Sequence, residues 1–419
     1  MGGQLQSATL QARMFQAADW TADRLGLFRG PLSADALIDT AIQRSGAGDF
    51  GEWSVHEPLA VLLQAWEHES HLSLFGRLAA RWDCLRFLDN VLRFRREERR
   101  APGILQQQID APVFVLGLPR SGTTFLHNLL ALDPAHVAPR CWQTIFPYPA
   151  PGSDPRREPD ARRRRVARQL AIFQKLAPEM RSLHPFDADS PQEFTEITAH
   201  VFRSRRFDMT HELPSYRRWL ERIGHLDAYR FHRRFLQHLQ HQGDRGRWVL
   251  KCPDHAFAFD ALHAVYPDAR FVFVHRDPAR ILPSVARLTE VVRRPFTRRM
   301  DRAAIGRQVS DDWVEGALAL IAAAKSLHAA ARVSHVYFAP LTRSPMETLR
   351  RVYAELELDW SAEAVRRMQQ YVGSKPRGGY GRNLYRLEDY GVDPQVEERR
   401  FAPYMAYFGL EPESSETAR

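Results

Sequence analysis

The chain has 419 residues, of which 44% are hydrophobic and 26% are charged. These fractions are typical of a globular protein of two or three domains, and they exclude collagen-like, coiled-coil and largely disordered chains. The formal net charge of +9 suits an anionic ligand, but it suits simple solubility equally well, because net charge alone does not specify a partner.

The sequence indicates neither secretion nor a membrane span. Its N-terminal stretch, MGGQLQSATLQARMFQ, lacks the apolar segment of a signal peptide. The longest mildly apolar stretch, Ala317–Ala331, is interrupted by Lys325 and His328 and is interpreted as a packed helix. The three cysteines show no CxxC spacing, which favours a reducing compartment. We therefore expect a cytoplasmic protein.

Residues 1–108 are predicted to form an N-terminal helical region without strands. Ser33 is a good N-cap for a first helix, because apolar residues follow it at helical spacing. Further helices are expected over roughly Pro58–Trp66 and Leu72–Arg95. The pair Pro102-Gly103 then marks the boundary to a second domain, residues 109–419.

From residue 109 onward, strand-like and helical segments alternate, which predicts an α/β domain with a parallel sheet flanked by helices. The expected strands are Pro112–Leu118, Arg247–Lys251, Arg270–His275 and Ser334–Ala339. The expected helices are Thr123–Leu132, Gln192–Phe207, Tyr229–Gln240, His255–Tyr266, Pro278–Leu288 and Ser344–Leu358. Loops are expected over Asp133–Pro159 and Gly373–Gly391.

A run of four arginines at 162–165 has two interpretations. It could bind nucleic acid, but no aromatic residues are interleaved with it to stack on bases. A solvated helix start is favoured, and we expect no nucleic-acid partner.

The first strand leads into a turn that is typical of an anion site. Backbone N–H groups at the start of the following helix, with the helix dipole behind them, bind phosphate-like groups. The spacing from Gly117 to Gly122 matches a P-loop, but Thr123 stands where an NTP-hydrolysing loop has its lysine, and Arg120 supplies the cation instead. We therefore predict a phosphate-binding loop that is a poor ATPase. A nucleophile elbow at Ser121 is disfavoured, because the glycines of that motif are missing.

A second segment repeats this arrangement. A buried strand ends at Arg276, and Asp277-Pro278 is a strong signal for a helix start, with Ser284 two turns further on. Taken alone, such a segment is more often an ordinary capped helix. Beside the first loop, it predicts a second anion site.

Together, these segments resemble the sulfotransferases that use 3′-phosphoadenosine-5′-phosphosulfate (PAPS). The resemblance is carried by PRSGTT at 119–124, by WVLKCPDH at 248–255, by FVHRDPARILPS at 273–284 and by the C-terminal GYGRNLYRLEDYG at 379–391. It covers almost the whole chain and is strongest for a bacterial branch with an N-terminal helical extension. It implies a P-loop-like α/β fold and transfer of a sulfuryl group from PAPS.

The resemblance also implies roles for individual residues. Arg120, Ser121, Gly122, Thr123 and Thr124 would hold the 5′-phosphosulfate. Arg276 and Ser284 would hold the 3′-phosphate, with Gly381 and Arg382 from the C-terminal loop. Lys251 would face the transferred group, and no metal would be needed. The product nucleotide would be adenosine 3′,5′-bisphosphate (PAP).

Three positions depart from the family pattern. Cys252 replaces the Ser or Thr that usually follows the lysine, which removes a hydroxyl donor. Asn383 replaces a histidine, and Gln143 stands where relatives often have a glutamate after Trp142. If that glutamate is a base in relatives, another group must act here.

The expected chemistry is an in-line displacement, in which positioning and electrostatics do most of the work. Arg120 and Lys251 are our candidates for stabilising the departing 5′-phosphate. The base that takes the acceptor's proton is sought first in His255, because an imidazole titrates near working pH, and next in Glu193. His184 and Asp189 are further candidates.

The acceptor is less well defined by the sequence. Trp142, Phe146, Tyr148 and Phe186 could line an apolar pocket for a lipid, quinol, phenol or polyketide-like alcohol, with peripheral membrane contact if the acceptor is a lipid. A P-loop small-molecule kinase is the main alternative function, and a nucleic-acid-binding module is the second.

Overall fold

A computed structural model describes residues 32–149, 158–328, 331–374 and 385–413. The strands are β1 (Val113–Gly117), β2 (His136–Val137), β3 (Arg247–Lys251), β4 (Arg270–His275) and β5 (Val333–Tyr337). Helices α1 to α9 are Ala34–Ser45, His56–Glu69, Leu74–Arg100, Thr123–Leu130, Cys141–Ile145, Glu158–Leu176, Met180–Leu183, Phe194–Thr198 and Arg206–Thr210. Helices α10 to α18 are Pro214–Ile223, Leu226–His241, Phe259–Val265, Pro278–Arg293, Arg302–Ser326, Phe338–Arg343, Pro345–Glu355, Ala362–Ser374 and Pro394–Tyr407.

The five strands form one parallel sheet in the order β2-β3-β1-β4-β5. The predicted α/β fold with a helix-flanked parallel sheet and N-terminal helices is confirmed. In β1 the side chains alternate between two cores: Phe114 and Leu116 pack on one face, and Val113 and Val115 on the other. A central strand that is buried on both faces must be apolar throughout, which is why its sequence predicts it well. The carboxyl ends of β1, β3 and β4 meet at one edge of the sheet.

Local capping explains where two key helices begin. Ser33 accepts a hydrogen bond from the Ala36 N–H (3.3 Å) at the start of α1. Asp277 accepts one from the Ala279 N–H (2.9 Å), with Pro278 at the first position of α13. Both starts agree with the sequence signals.

The predicted helix Gln192–Phe207 is wrong as a single element. The chain forms α8, then a 3₁₀ turn over Ala199–Val201, then a left-handed residue at Phe202 (φ 55°), and only then α9. Side chains compete with the helical ladder here, because the Ser204 hydroxyl donates to the Thr195 carbonyl (2.7 Å). Amphipathic spacing alone could not reveal this break.

Two other predicted segments also differ from the structure. The predicted loop Asp133–Pro159 contains β2 and α5 within its described part. The predicted helix His255–Tyr266 begins as a 3₁₀ turn, Pro253–Ala258, and becomes α-helical only at α12. Most of the predicted Gly373–Gly391 loop lies outside the described residues.

The N-terminal helices pack against the middle of the chain. Trp66 and Phe87 on α2 and α3 share a core with Phe207 and Tyr216 from α9 and α10. A buried ion-pair network adds to this contact, and its members are Asp83, Arg86, Glu196 and Arg206. The predicted boundary near residue 108 therefore separates elements in sequence that share one core in space.

The start of α3 also contacts the segment that follows α13. Gly76 lies so close to Phe296 that a Cβ atom at Gly76 would stand 2.1 Å from the Phe296 carbonyl oxygen. The Ser73 N–H donates to that same oxygen (2.9 Å). Within the described residues, no helix combines the length and apolarity needed to cross a bilayer.

Candidate active site

The turn after β1 requires glycine at two positions. Gly117 has φ 152°, and a Cβ there would lie 2.4 Å from the Val274 carbonyl oxygen. Gly122 has φ 100°, and Arg120 between them is also left-handed, at φ 64°. A non-glycine residue in this conformation is uncommon and is held by its surroundings. The backbone thus wraps around the start of α4, as the phosphate-loop interpretation predicts.

The side chains of this loop do not all face the same way. The hydroxyl of Ser121 is buried and donates to the Leu118 carbonyl (2.6 Å), so it braces the turn. Thr123 and Thr124 line the cavity in front of the loop. Ser121 could therefore contribute to an anion site through its backbone, whereas the two threonines could contribute side chains.

Hydrogen bonds join the loop to the second predicted anion segment, and we call the linked residues Arg120, Ser284 and Arg276 the arginine frame. Arg120 Nε donates to Ser284 Oγ (3.1 Å), and Arg276 Nη1 donates to the Arg120 carbonyl (3.1 Å). Arg276 also stacks on the ring of Phe338, 3.6 Å from its centroid. Burial and, after it, the charge of Arg276 lower the pKa of Arg120. Two guanidinium groups held this close favour an anion between or beside them.

An acidic side chain near the C-terminus, Glu413, lies against Arg276 of the arginine frame. Glu413 pairs with Arg276 through two contacts, Nε to Oε1 (3.2 Å) and Nη2 to Oε2 (3.3 Å). The Glu413 N–H donates to Asp277 Oδ2 (2.9 Å), and Arg280 Nε donates to the Glu413 carbonyl (3.2 Å). A carboxylate thus lies on the arginine that the family resemblance assigns to the 3′-phosphate.

Lys251 ends β3 next to the phosphate loop. Its ammonium is buried, donates to Thr124 Oγ1 (3.2 Å) and pairs with the carboxylate of Glu193. Burial pushes the pKa of Glu193 upward, but the charge of Lys251 and its hydrogen bond to Glu193 oppose burial, and the pKa stays below its usual range. Glu193 is therefore ionised, and a quarter of its side chain (25%) is exposed to the cavity.

The other base candidates lie in different environments. His184 lines the cavity near Lys251 and Glu193, and burial, followed by the charge of Lys251, lowers its pKa. Asp189 also lines the cavity and pairs with Arg163 (2.6 Å). A neutral imidazole at His184 could accept a proton. Asp189 is a weaker candidate for the base, because its carboxylate is paired with Arg163.

The position of His255 does not support its predicted role as base. The side chain is fully buried between Phe114 and Phe194, with ring centroids 5.1 and 4.9 Å away, and it does not line the cavity. Its Nδ1 bonds to the Tyr229 hydroxyl (2.7 Å), and burial holds its pKa well below the usual range. His255 is a core histidine that packs beneath the site.

Two of the unusual positions have clear structural environments. Gln143 closes a cap at the start of α5: its Oε1 accepts from the Arg140 N–H (2.9 Å) and its Nε2 donates to Asp244 (2.6 Å). Cys252 is buried, with Sγ 3.9 Å from Glu193 Oε2. Gly381, Arg382 and Asn383 lie outside the described residues.

One cavity of about 3040 Å³ connects these groups. One half is polar and contains the phosphate loop, Arg276 and Lys251. The other half is apolar, and its walls come from the start of α3, the end of α6, the end of α13 and the segment that follows α13. These apolar wall residues are Phe75, Leu78, Trp82, Ile172, Phe173, Leu288, Val292 and Phe296.

The predicted aromatic pocket is mostly misplaced. Phe186 lines the cavity, but Trp142 and Phe146 lie under Arg162 and Arg165, at 4.7 and 4.1 Å from guanidinium carbon to ring centroid. Tyr148 bonds to a core histidine instead. The true apolar wall was missed because its residues come from three helices far apart in sequence, each with the spacing of an ordinary core face.

The chain is similar to known proteins in both sequence and fold. Residues 112–362 match the model of a family described as the sulfotransferase family. The omega-hydroxy-beta-dihydromenaquinone-9 sulfotransferases Stf3 of Mycobacterium bovis and Mycobacterium tuberculosis are each 24% identical over 304 residues, which is 66% of this chain and 70% of theirs.

Two crystal structures share the architecture. Sulfotransferase STF1 from M. tuberculosis is 30% identical with a TM-score of 0.77, and the match covers 89% of this chain and 99% of that one. Sulfotransferase STF9 from Mycobacterium avium is 28% identical with a TM-score of 0.81, over 91% of this chain and 98% of that one.

Proposed function

The chain belongs to the sulfotransferase family, and from this premise we propose that it transfers the sulfuryl group of PAPS to a hydroxyl of an apolar small-molecule acceptor. One observation carries the proposal. Lys251 and Glu193 pair inside the cavity that is lined both by the phosphate loop and by the apolar wall residues. A cation for the leaving group and a carboxylate for the acceptor's proton would thus be available in the same cavity.

The residues of the polar half fit a nucleotide with two anionic groups. The backbone of the phosphate loop, with Thr123, Thr124 and Arg120, would hold the 5′-phosphosulfate. Arg276 would hold the 3′-phosphate, because a guanidinium fork binds phosphate and carboxylate in the same bidentate way. Ser284 is buried and its hydroxyl accepts from Arg120, so it would act by holding that guanidinium and not by the predicted direct contact with the 3′-phosphate. Gly381 and Arg382 remain predicted contributors from the C-terminal loop.

The reaction would form a bond between the acceptor oxygen and sulfur, and break the bond between sulfur and the bridging phosphate oxygen. Lys251 and Arg120 would stabilise the negative charge that develops on the leaving PAP. Glu193 would take the hydroxyl proton, a role that typically contributes about 10²–10⁴-fold. Because Glu193 lines the cavity and His255 does not, we prefer Glu193, with His184 as the alternative base.

The Lys251–Glu193 pair would also couple the basicity of Glu193 to binding of the sulfuryl donor. While the pair is intact, the lysine lowers the pKa of Glu193 and makes it a weak base. When the ammonium turns toward the sulfuryl donor, the carboxylate loses part of that stabilisation and its pKa rises. The base would thus become stronger only when the donor is in place.

The apolar wall supports an acceptor with a long hydrocarbon part. The cavity is far larger than the usual ligand pocket of about 300–1,000 Å³. Eight apolar side chains line it, and three of them, Phe75, Phe296 and Phe173, stack on one another in that order. Two relatives are named for a hydroxylated dihydromenaquinone, which is an apolar molecule with a terminal alcohol. We therefore place the acceptor among lipid or quinol-like alcohols.

Thermal-shift measurements test the nucleotide part of this proposal. PAP should raise the melting temperature, whereas ATP with Mg²⁺ and duplex DNA should not. A shift with ATP and Mg²⁺ alone would favour the kinase alternative. The sequence argues against a kinase, because Thr123 occupies the position at which a P-loop has its lysine. Transfer of radiolabelled sulfate from PAPS into a lipid extract of the source cells would then identify the acceptor.

A further inference from the structure

The apolar half of the cavity opens at a rim of exposed large hydrophobic side chains. Leu78 is 46% exposed, Trp82 40%, Ile172 56% and Met209 46%. All four also line the cavity. Scattered exposed hydrophobic residues are normal, but a group around one opening marks an interaction surface.

An apolar path runs inward from this rim. Phe296 stacks on Phe75 (5.6 Å between centroids) and on Phe173 (6.1 Å), which closes the walls behind the rim. Leu288 and Val292 continue the path toward the reacting groups and pack against the small cluster that contains Leu183. A hydrocarbon chain could therefore lie along the path, with one end near Lys251 and the other at the surface.

The rim is also strongly basic. On α6, Arg164, Arg168 and Ile172 follow one another at intervals of four, and Lys175 comes three residues later, so these side chains share one face of the helix. All four side chains are exposed, and the three basic ones have no carboxylate partner among the described residues. On α3, exposed Arg81 stands between Leu78 and Trp82.

We propose that this rim, defined by Leu78, Trp82, Ile172 and Met209 with the basic face of α6, docks on an anionic phospholipid bilayer. The hydrophobic side chains would enter the headgroup region, while the arginines and lysine pair with lipid phosphates. An apolar acceptor could then pass from the bilayer into the cavity without crossing water. This inference rests on the proposed apolar acceptor, but its test does not require turnover.

Vesicle sedimentation of the full chain tests the proposal. The protein should sediment with vesicles that contain phosphatidylglycerol, several-fold more than with phosphatidylcholine alone, and added salt should reduce binding. Leu78→Ser/Ile172→Ser and Arg164→Glu/Arg168→Glu should each lower binding by about tenfold. Leu318→Ser removes an equally exposed hydrophobic side chain (49%) on α14, and Arg218→Glu/Arg222→Glu reverses two exposed charges on α10, so these are the matched controls.

Two results would overturn the inference: absence of wild-type binding to anionic vesicles, or equal loss in the control variants. Thermal shift with PAP, run on the same samples, checks both folding and the nucleotide site. Failure of that shift with intact vesicle binding would count against the proposed function alone.

A separate observation concerns regulation of the nucleotide site. Glu413 lies on Arg276 in bidentate geometry, and its backbone is anchored on both sides by Asp277 and Arg280. The side chain is only 19% exposed. These contacts hold an acidic group where the proposed function needs the 3′-phosphate.

The geometry points to Glu413 as an internal competitor of the nucleotide. Carboxylate and phosphate cannot both occupy the fork of Arg276, so nucleotide binding must first displace the side chain of Glu413. The apparent dissociation constant is then raised in proportion to the fraction of molecules in which Arg276 is covered. A nucleotide without a 3′-phosphate would leave Glu413 in place, so Glu413 would not weaken its binding.

Titration calorimetry on Glu413→Gln tests this second inference. The variant should bind PAP about tenfold more tightly than the wild type, because the competing charge is gone. Its affinity for adenosine 5′-phosphosulfate, which lacks the 3′-phosphate, should not change. Glu411→Gln, two residues earlier and exposed, is the matched control.

Unchanged or weaker PAP binding by Glu413→Gln would overturn the competitor role, and weaker binding would show that Glu413 helps to hold the nucleotide. If neither protein binds PAP, the proposed function itself fails.

Discussion

The ammonium of Lys251 and the carboxylate of Glu193 form an ion pair inside the cavity that Thr124 and the apolar wall residues also line. Lys251 is one of only four lysines among 59 basic residues, in a chain that otherwise uses arginine. A compact ammonium can approach a single bridging oxygen, whereas a planar guanidinium is built for bidentate contact. This difference gives the first test of the mechanism.

Lys251→Arg should keep nucleotide binding but lose turnover by about 100-fold or more, because the charge remains while its placement on the leaving oxygen is lost. Steady-state assays with PAPS, together with PAP titrations, separate the two effects. Lys325→Arg is the control, since Lys325 lies over the ring of Tyr407, away from the cavity. Near-normal turnover of Lys251→Arg would remove Lys251 from leaving-group stabilisation.

Glu193→Gln should lower kcat by about 10²–10⁴-fold with little change in PAP affinity, because the amide cannot accept the hydroxyl proton. Asp189→Asn is the control, because its carboxylate also faces the cavity but is paired with Arg163. A loss confined to His184→Gln, with Glu193→Gln active, would assign the base to His184.

His255→Phe should leave the turnover of folded enzyme unchanged and lower stability by about 1–3 kcal/mol. The cost arises because the buried Tyr229 hydroxyl loses its partner. Thermal unfolding and kcat should be measured on the same preparation. A large fall in kcat at unchanged stability would contradict this expectation and would assign the base to His255 despite its burial.

Val292→Trp should block the apolar path and raise KM for a long-chain acceptor by at least about tenfold, since an indole would fill space that the acceptor needs. Affinity for PAP should stay the same, because Val292 lies in the apolar half. An unchanged KM would place the acceptor elsewhere in the cavity.

The ion-pair network between α3 and α9 predicts how stability depends on pH. Burial alone would raise the pKa of Asp83, but Arg206 and Arg86 outweigh it and bring the pKa to about 2. Because the folded-state pKa lies below the unfolded value of 3.8, the stabilisation is present above that value and is lost as pH falls toward 2.

Asp83→Asn should therefore lower the free energy of unfolding by about 2–3 kcal/mol at neutral pH. The difference from wild type should shrink as the pH falls below about 4. Urea unfolding from neutral pH to below about pH 4 measures this difference in the free energy of unfolding. Asp35→Asn, on the exposed face of α1, is the control. A difference that does not vary with pH would mean that the effect is not electrostatic.

The central elements could be predicted from sequence because local and global signals agree in them. The bounds predicted for β3 and β4 coincide with the structure, and β1 differs by one residue at each end. Strands buried on both faces are short and uniformly apolar, and the loops that follow them need glycine for backbone reasons. The turn that needs glycine at positions 117 and 122 was therefore visible in the sequence.

Other parts depend on contacts that sequence does not show. The two-residue strand β2 exists only through its pairing with β3. The break after α8 depends on Ser204, and the pairing of Glu413 with Arg276 spans 137 positions. His255 has the spacing of a catalytic residue next to Lys251, but the 3₁₀ turn that follows β3 directs its ring into the core.

The hydrogen bonds that link Arg120, Ser284 and Arg276 have a consequence for selectivity. One guanidinium contacts the backbone of the loop that holds the other, so an anion that orders either site also fixes the second. Recognition of the two ends of the nucleotide should then be cooperative, and the binding energies of its separate halves should not add. Under the proposed function, the site would therefore bind strongly only a ligand that carries both anionic groups. A singly phosphorylated adenosine, however abundant, would be a poor competitor for a donor that carries both groups.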